Sequence, residues 1–547
     1  MRSNMLKAAL IKSGLAASVL LLASGASFGQ VNLTAGPTTL TLPDGNVVPM
    51  WGYSCGTLVS AATATCRALN PASVTAVATA TTAATGTWSP VVITVPYSES
   101  APGVSTTSLT INLINNLTFP AGTGTNTVPT SLVIVGQLGG GLGTAPTRTP
   151  SPGHASQSVT WSTVSAAPLF TPPTQGDRVQ SFATEVVAAG VTAVAPQVAS
   201  GSALTWNALR PGTYLIESGT HPSIQGPMGL YGVLVVTTAP VGAGATGTAY
   251  GALVPSATAP SVTYNADVPL EFSEIDAVQN KAVDTAVRTA GFSETRVWSG
   301  QPGMCGNPAS AVGVVNTCYP PAVNFTPLYY LVNGVAFNKA FVATTASPNN
   351  PSLFPTNPAT SLAAGTGTIL VRMVNAGLRM HLPSIVGAQT AGVSGAGAAA
   401  TVNGFALVAE DGNPVPGALG GKPRVQSDVF MAAGKTYDVK INVPAAGTTA
   451  LAVYDRELSL SGNAIARDAG MLAYIGANGA ALPNAASLAP AVARNDLYNS
   501  VVTGQTLVVS DPSKGVIAND TNVYGVTVVG TVAGLTLNPN GTFTYTG

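Results

Sequence analysis

A chain of consecutive β-sandwiches, all-β in class, is the fold this sequence predicts, on three grounds. Apolar and polar residues alternate with period two in "SLTINLINNL", where Leu109, Ile111 and Leu113 interleave with Thr110 and Asn112. The same holds in "TYDVKINVP", where Tyr437, Val439, Ile441 and Val443 interleave with Asp438, Lys440 and Asn442. Long helical patterns are nearly absent, and 60 Gly with 41 Pro cut the chain into short elements. At 547 residues it also exceeds what one hydrophobic core organises, so several cores are expected. Alternating strands bury one face and wet the other, which is how the strands of a sandwich behave.

Taken in order, the N-terminus carries a secretory signal over residues 1–29. Arg2, Lys7 and Lys12 supply positive charge, "GLAASVLLLASGA" is the apolar run, and Ser27 and Gly29 are small residues before Gln30. The run is shorter than the roughly 20 residues of a spanning helix, and no later segment reads as transmembrane. The mature chain is therefore expected to be exported, to the periplasm, the cell surface or the medium. A first strand-rich block spans 30–238, and the low-complexity segment 239–260, "APVGAGATGTAYGALVPSATAP", is expected to link it to a second, 261–476. Inside the second block, "SPNNPSLFPTNPATSLAAGTG" is expected to be a surface loop and "AGVSGAGAAATVNG" a mobile insertion. A second linker, 477–494, precedes a short unit, 495–547.

Charge excludes two partner classes. Only 8% of residues are charged and the formal net charge is zero, so no basic patch suggests nucleic acid and no acidic tail a cation store. Four cysteines in an exported chain predict two local disulfides, Cys55 with Cys66 and Cys305 with Cys318, each worth ~3 kcal/mol in the chain-entropy model. A zinc site is the alternative, but neither pair has Cys-x-x-Cys spacing. There is no Gly-x-Ser-x-Gly elbow, no phosphate loop and no His-Glu-x-x-His helix. "GQLGGGLG" lacks the βαβ setting of a dinucleotide site.

Two phrases frame the first block, "LPDGNVVPMWGYSC" and "GTYLIESGTHPSIQGPMGLYGVLVV". The second block contains, in order, "YNADVPLEFSEIDAVQN", "PLYYLVNGVAF", "VRMVNAG", "VAEDGNPVP" and "MAAGKTYDVKINVP". On these phrases the chain resembles the multicopper oxidases over most of Gln30 to Gly476. That resemblance implies tandem cupredoxin-like β-sandwiches and a function that depends on histidine ligands, because imidazoles bind copper well.

At the positions where the family places its first-domain ligands, this sequence departs. A His-Trp-His-Gly phrase is replaced by "PTSLVIVGQ", with Val133 and Val135 in the histidine places and Gly136 retained. A Tyr-His-Ser-His phrase is replaced by "TYLIESGTH", with Glu217 and Gly219 in the histidine places. Valines at such positions imply a site closed over by packing. The chain has three histidines, His154, His221 and His381. His154 lies in a Pro/Gly/Ser-rich loop, and His381 falls where the family's middle domain carries no metal. His221 with Glu217 is the one candidate metal pair, set against a plain hydrogen-bonded role for each. No cysteine has a histidine in its local sequence, as a mononuclear copper site requires, and the family's third, copper-bearing domain is not represented. Glu274 and Asp276, in the family's "SEID" phrase, are expected to make strand-end or turn hydrogen bonds.

The last unit, through "GVIANDTN" and "LTLNPNGTFTYTG", resembles bacterial Ig-like or cadherin-like repeats, and implies an incomplete Ig-like β-sandwich. Asp520, flanked by Asn519 and Asn522, offers too few carboxylates for a strong calcium site. The sequence thus predicts an exported protein with no expected cofactor and a structural or interaction role toward a surface or extracellular partner. The rival reading is an oxidase of metal ions or phenols, or an electron-transfer protein, holding copper in a domain beyond residue 547.

Overall fold

The computed structural model describes residues 28–547 except 44, 71–72, 74–86, 143–146, 150–177, 243, 257, 293, 295–318, 321, 323–324, 338–351, 358–361, 394–396, 422–423, 446–449, 460–469, 478–490, 522 and 524. Two β-sandwiches follow one another. In the first, a sheet in the order Ser202–Asn207, Ser108–Asn115, Phe28–Thr41, Val47–Cys55 faces a second sheet. That second sheet runs Val133–Ile134, Gly212–Glu217, Tyr231–Thr237, Val91–Pro96, Thr65–Ala68. Leu33, Ile93, Ile111, Leu113, Trp206, Ile216 and Leu234 meet in the core between them. Along Ser108–Asn115 buried and half-buried residues alternate without interruption, as the period-two pattern predicts. The Cys55–Cys66 disulfide joins an edge strand of each sheet and so ties the sandwich shut at one side.

The second sandwich has a large sheet whose centre is Tyr329–Val332, Ala266–Ile275, Thr368–Asn375, Thr436–Asn442 and Phe405–Glu410. A smaller sheet of Leu353–Pro355, Leu472–Gly476, Leu451–Asp455 and Pro383–Ile385 covers one of its faces. Leu270, Phe272, Val371, Met373, Val439 and Ile475 lie between the two sheets.

The other face of the large sheet is covered as well. Leu215, Tyr231, Val233 and Val235 of the first sandwich pack with Ile275, Leu331 and Val374 of the second in one apolar cluster. All ten residues of Ala266–Ile275 and all seven of Tyr231–Thr237 are buried. A sheet covered on both sides no longer has a wet face. This is why Asp438, expected to face water, is buried at 1% exposure.

Three segments read as loops or linkers contain regular structure. Within 239–260, the strand Gly247–Gly251 pairs with Ser261–Tyr264 and buries Tyr250. Leu353–Pro355 pairs in parallel with Leu472–Gly476 and buries Phe354. Gln389–Val393 and Ala399–Asn403 pair across the Gly/Ala-rich stretch. The helix Ala277–Val287 was not foreshadowed by hydrophobic periodicity; its signal is the cap, where the Asp276 carboxylate accepts from the amides of Val278 and Gln279 at 3.0 Å each. Among the described residues no helix is long and apolar enough to cross a membrane. In the C-terminal unit, Thr506–Val509, Phe543–Thr546 and Leu535–Leu537 form a three-stranded sheet, with Tyr498 edge-on to Phe543 at 4.8 Å.

Candidate functional site

The four positions that the resemblance marks for ligands converge at one rim of the first sandwich. Val133–Ile134 pairs antiparallel with Gly212–Glu217, so Val133 is opposite Glu217 and Ile134 opposite Ile216. The Val135 amide continues the ladder by donating to the Leu215 carbonyl at 2.9 Å. A Cβ placed on Gly219 would stand 2.6 Å from Val133 Cγ2 and 3.2 Å from Ser131 Oγ. The valine side chain therefore occupies the room that a residue at 219 would need.

Beneath this rim lies a buried network of hydroxyls and one amide. Gln225 Oε1 accepts from Thr130 Oγ1 at 2.8 Å and from Ser218 Oγ at 2.7 Å, and Gln225 Nε2 donates to the Pro129 carbonyl at 2.9 Å. Thr220 Oγ1 donates to Ser131 Oγ at 2.9 Å and Ser181 Oγ donates to the same atom at 3.2 Å. Every group here is neutral, and each finds a partner within the network, as buried polar groups require.

His221 and Glu217 are not joined. His221 holds a left-handed backbone with φ 40°, ahead of the short helix Pro222–Gln225, and its Nδ1 lies 2.9 Å from Glu294 Oε1. Its ring stands edge-on to Tyr319 at 6.0 Å. Burial works against protonation of His221, but the hydrogen bond to Glu294 and the fields of Glu294 and Glu185 raise its pKa above the ordinary value. Glu217 has no side-chain partner among the described residues, and burial alone pushes its pKa up to about 6. Its charge is felt by Tyr53. Glu185 and Glu294 are 36 and 73 residues from His221 in sequence, and no local pattern announces either.

His381 is wholly buried between two carboxylates. Its Nδ1 is 2.9 Å from Asp455 Oδ2 and its Nε2 is 3.1 Å from Glu274 Oε2. Glu274 Oε1 also accepts from the amides of Leu378 at 2.6 Å and Arg379 at 2.7 Å, while Asp455 Oδ1 accepts from Leu382 at 2.8 Å. Burial opposes the imidazolium, yet the hydrogen bonds to Asp455 and Glu274 outweigh it and lift the pKa to about 9. Glu274 and Asp276 thus make the strand-end and turn hydrogen bonds expected of them, and His381 is a charged strut inside the second sandwich.

Among the described residues no group of three or more His, Cys, Asp and Glu side chains is placed to hold a metal ion. His154 and the pair Cys305 and Cys318 lie outside the described residues.

No family model matches this chain and no curated protein matches it. Solved structures do resemble it. A blue copper oxidase from Nitrosomonas europaea is 14% identical, covers 82% of this chain with 85% of its own and has a TM-score of 0.40. A copper nitrite reductase from the same organism is 12% identical over 82% of this chain and 93% of its own, with a TM-score of 0.35. A laccase from Botrytis aclada is 15% identical over 88% of this chain and 58% of its own, with a TM-score of 0.36. At these identities and scores the likeness carries no argument about copper, substrate or reaction. The all-β architecture of tandem sandwiches stands on the strand pairings themselves.

Proposed function

We propose that this is an exported protein using a cupredoxin-like tandem scaffold without copper, in a structural or interaction role at the cell surface or outside it. The donor chemistry at the rim carries the reading. Val133, Val135, Glu217 and Gly219 stand where imidazoles are needed, over a network of serine and threonine hydroxyls and one glutamine amide. Copper sites are built from imidazole, thiolate and thioether, and hydroxyls and amides are poor substitutes. Cys55 and Cys66 are spent in a disulfide. The residues present do not fit copper. Of His221 and Glu217, the one metal pair suggested by sequence, His221 bonds Glu294 and not Glu217, which favours a hydrogen-bonding role for His221. The polar surface, rich in Thr and Asn, carries no readable code for a particular partner.

Metal analysis of the purified mature chain, with a visible absorption spectrum, tests this directly. The expected result is no stoichiometric copper and no charge-transfer band. One or more tightly bound copper ions per chain would overturn the reading.

A further inference from the structure

Glu271 is fully buried, and neither carboxyl oxygen has a hydrogen-bond partner among the described residues. It belongs to Ala266–Ile275, in the seam where the two sandwiches meet. Period-two alternation puts Glu271, Ser273 and Ile275 on one face of that strand, and Ile275 lies in the apolar cluster that joins the sandwiches. Opposite, from the first sandwich, stands Tyr231, whose hydroxyl also lacks a partner among the described residues. Ser273 sits beside that phenol, and by distance and angle its hydroxyl has no hydrogen-bond partner among the described residues. Three side chains with unmet polar atoms therefore share one otherwise apolar joint. A buried carboxyl without a partner is costly to keep, and an ionised one far more so.

Among the described residues no charge compensates it. From the first sandwich, Tyr231 is the titrating neighbour, and an ionised phenol would only add negative charge. Arg67 acts on Asp267, not on Glu271. From Thr368–Asn375, Arg372 is engaged with Asp267 and Asp438. From the Tyr329–Val332 side, Asn333 binds the Glu271 backbone through its amide oxygen at 2.8 Å, and the Tyr329 hydroxyl accepts from Asn46 at 3.5 Å. On its own strand, Glu274 faces His381. Burial drives the Glu271 pKa well above the ordinary carboxylate value.

We infer that Glu271 is a proton-operated latch of the inter-sandwich seam, closed while the carboxyl is protonated and loosened when it ionises. The sign follows from linkage. An acid held in its neutral form by the folded state favours folding most below its unfolded pKa, about 4.3, and that advantage is lost as pH rises toward the raised folded value. Across that window one proton is released on opening, so the opening constant grows about tenfold per pH unit relative to a chain that cannot titrate there.

The test is urea denaturation of the full mature chain between about pH 5 and pH 8, followed by tryptophan fluorescence. Trp88, edge-on to Tyr231 with ring centroids 5.4 Å apart, reports on the seam. Wild type is compared with Glu271→Gln, which keeps the shape, and Glu271→Leu, which makes the joint wholly apolar. The expected result is that both variants lose the excess pH dependence of about tenfold per unit, and that Glu271→Leu resists urea better than wild type at about pH 8. Parallel pH profiles for wild type and Glu271→Gln would overturn the inference, as would a Glu271→Leu chain less resistant than wild type at that pH.

Discussion

Arg372 and Glu271 lie on neighbouring parallel strands of the same sheet, in the same seam, both at 0% exposure, and the fold treats them in opposite ways. Arg372 Nε donates to Asp267 Oδ2 at 2.7 Å, and its two terminal nitrogens donate to Thr213 Oγ1 at 3.1 Å and Thr237 Oγ1 at 3.2 Å. Asp438 stands 3.5 Å away and the Tyr264 ring lies beneath the guanidinium at 5.3 Å. Asp438 is itself held by Thr213 at 2.7 Å and by the Tyr250 hydroxyl at 2.6 Å. Both threonines belong to the first sandwich, and Tyr250 comes from the segment between the two. Glu271 has no such partner among the described residues. A buried charge is therefore tolerated at one end of the seam because several elements supply partners there, and the other end relies on protonation.

The sharpest way to break this contrast is Arg372→Met. It removes the guanidinium that both Asp267 and Asp438 share and leaves Asp438 buried without a counter-charge, so a loss of about 3–5 kcal/mol in urea denaturation is expected. A variant within about 0.5 kcal/mol of wild type would show that the network contributes little and that the two ends of the seam do not differ as described.

A smaller effect is expected at His381, which repeats the paired arrangement inside the second sandwich. His381→Gln keeps a donor but removes the positive charge between Glu274 and Asp455, at a cost of about 2–3 kcal/mol at neutral pH. The pH dependence separates charge from packing. The folded pKa of about 9 lies above an unfolded value near 6.5, so this stabilisation is fully present below about pH 6.5 and is lost as pH rises through about 9. Melting curves at intervals from pH 6 to about pH 10 should show wild type and His381→Gln converging at the alkaline end. A gap that stays constant with pH would assign the loss to packing.

The sequence made the strand pattern readable and hid the seam. Leu109, Ile111 and Leu113 are buried as period two requires, because that sheet has one wet face. The same pattern misplaced Asp438, because periodicity within one strand says nothing about a second sandwich arriving on its polar side. Tyr250 sits in a Gly/Ala-rich stretch that reads as a linker, yet its hydroxyl is needed by Asp438. At the rim, the departures from the expected ligand phrases were visible residue by residue, including the valines. The steric relation of Val133 to Gly219, and the partners of His221, were not, since Glu185 and Glu294 come from distant segments. Long-range supply of partners is the information that local sequence lacks.

The rim provides the mildest test of the same rule. Glu217, like Glu271, has no side-chain partner among the described residues, but it is only half-buried and so keeps part of its hydration. Its pKa is pushed up to about 6 by burial, above an unfolded value near 4.3. The stability tied to its neutral form is fully present below about pH 4.3 and declines as pH rises through about 6. Solvent screening keeps the whole effect below about 1 kcal/mol. Glu217→Gln should therefore be as stable as wild type near pH 4 and up to about 1 kcal/mol more stable at pH 7, with the difference opening between those limits. If Glu217→Gln were instead clearly less stable than wild type at pH 7, the carboxylate would have a favourable partner at the rim. The contrast between partnered and unpartnered buried charges would then have to be redrawn there, with a cation at Glu217 as the first candidate to examine.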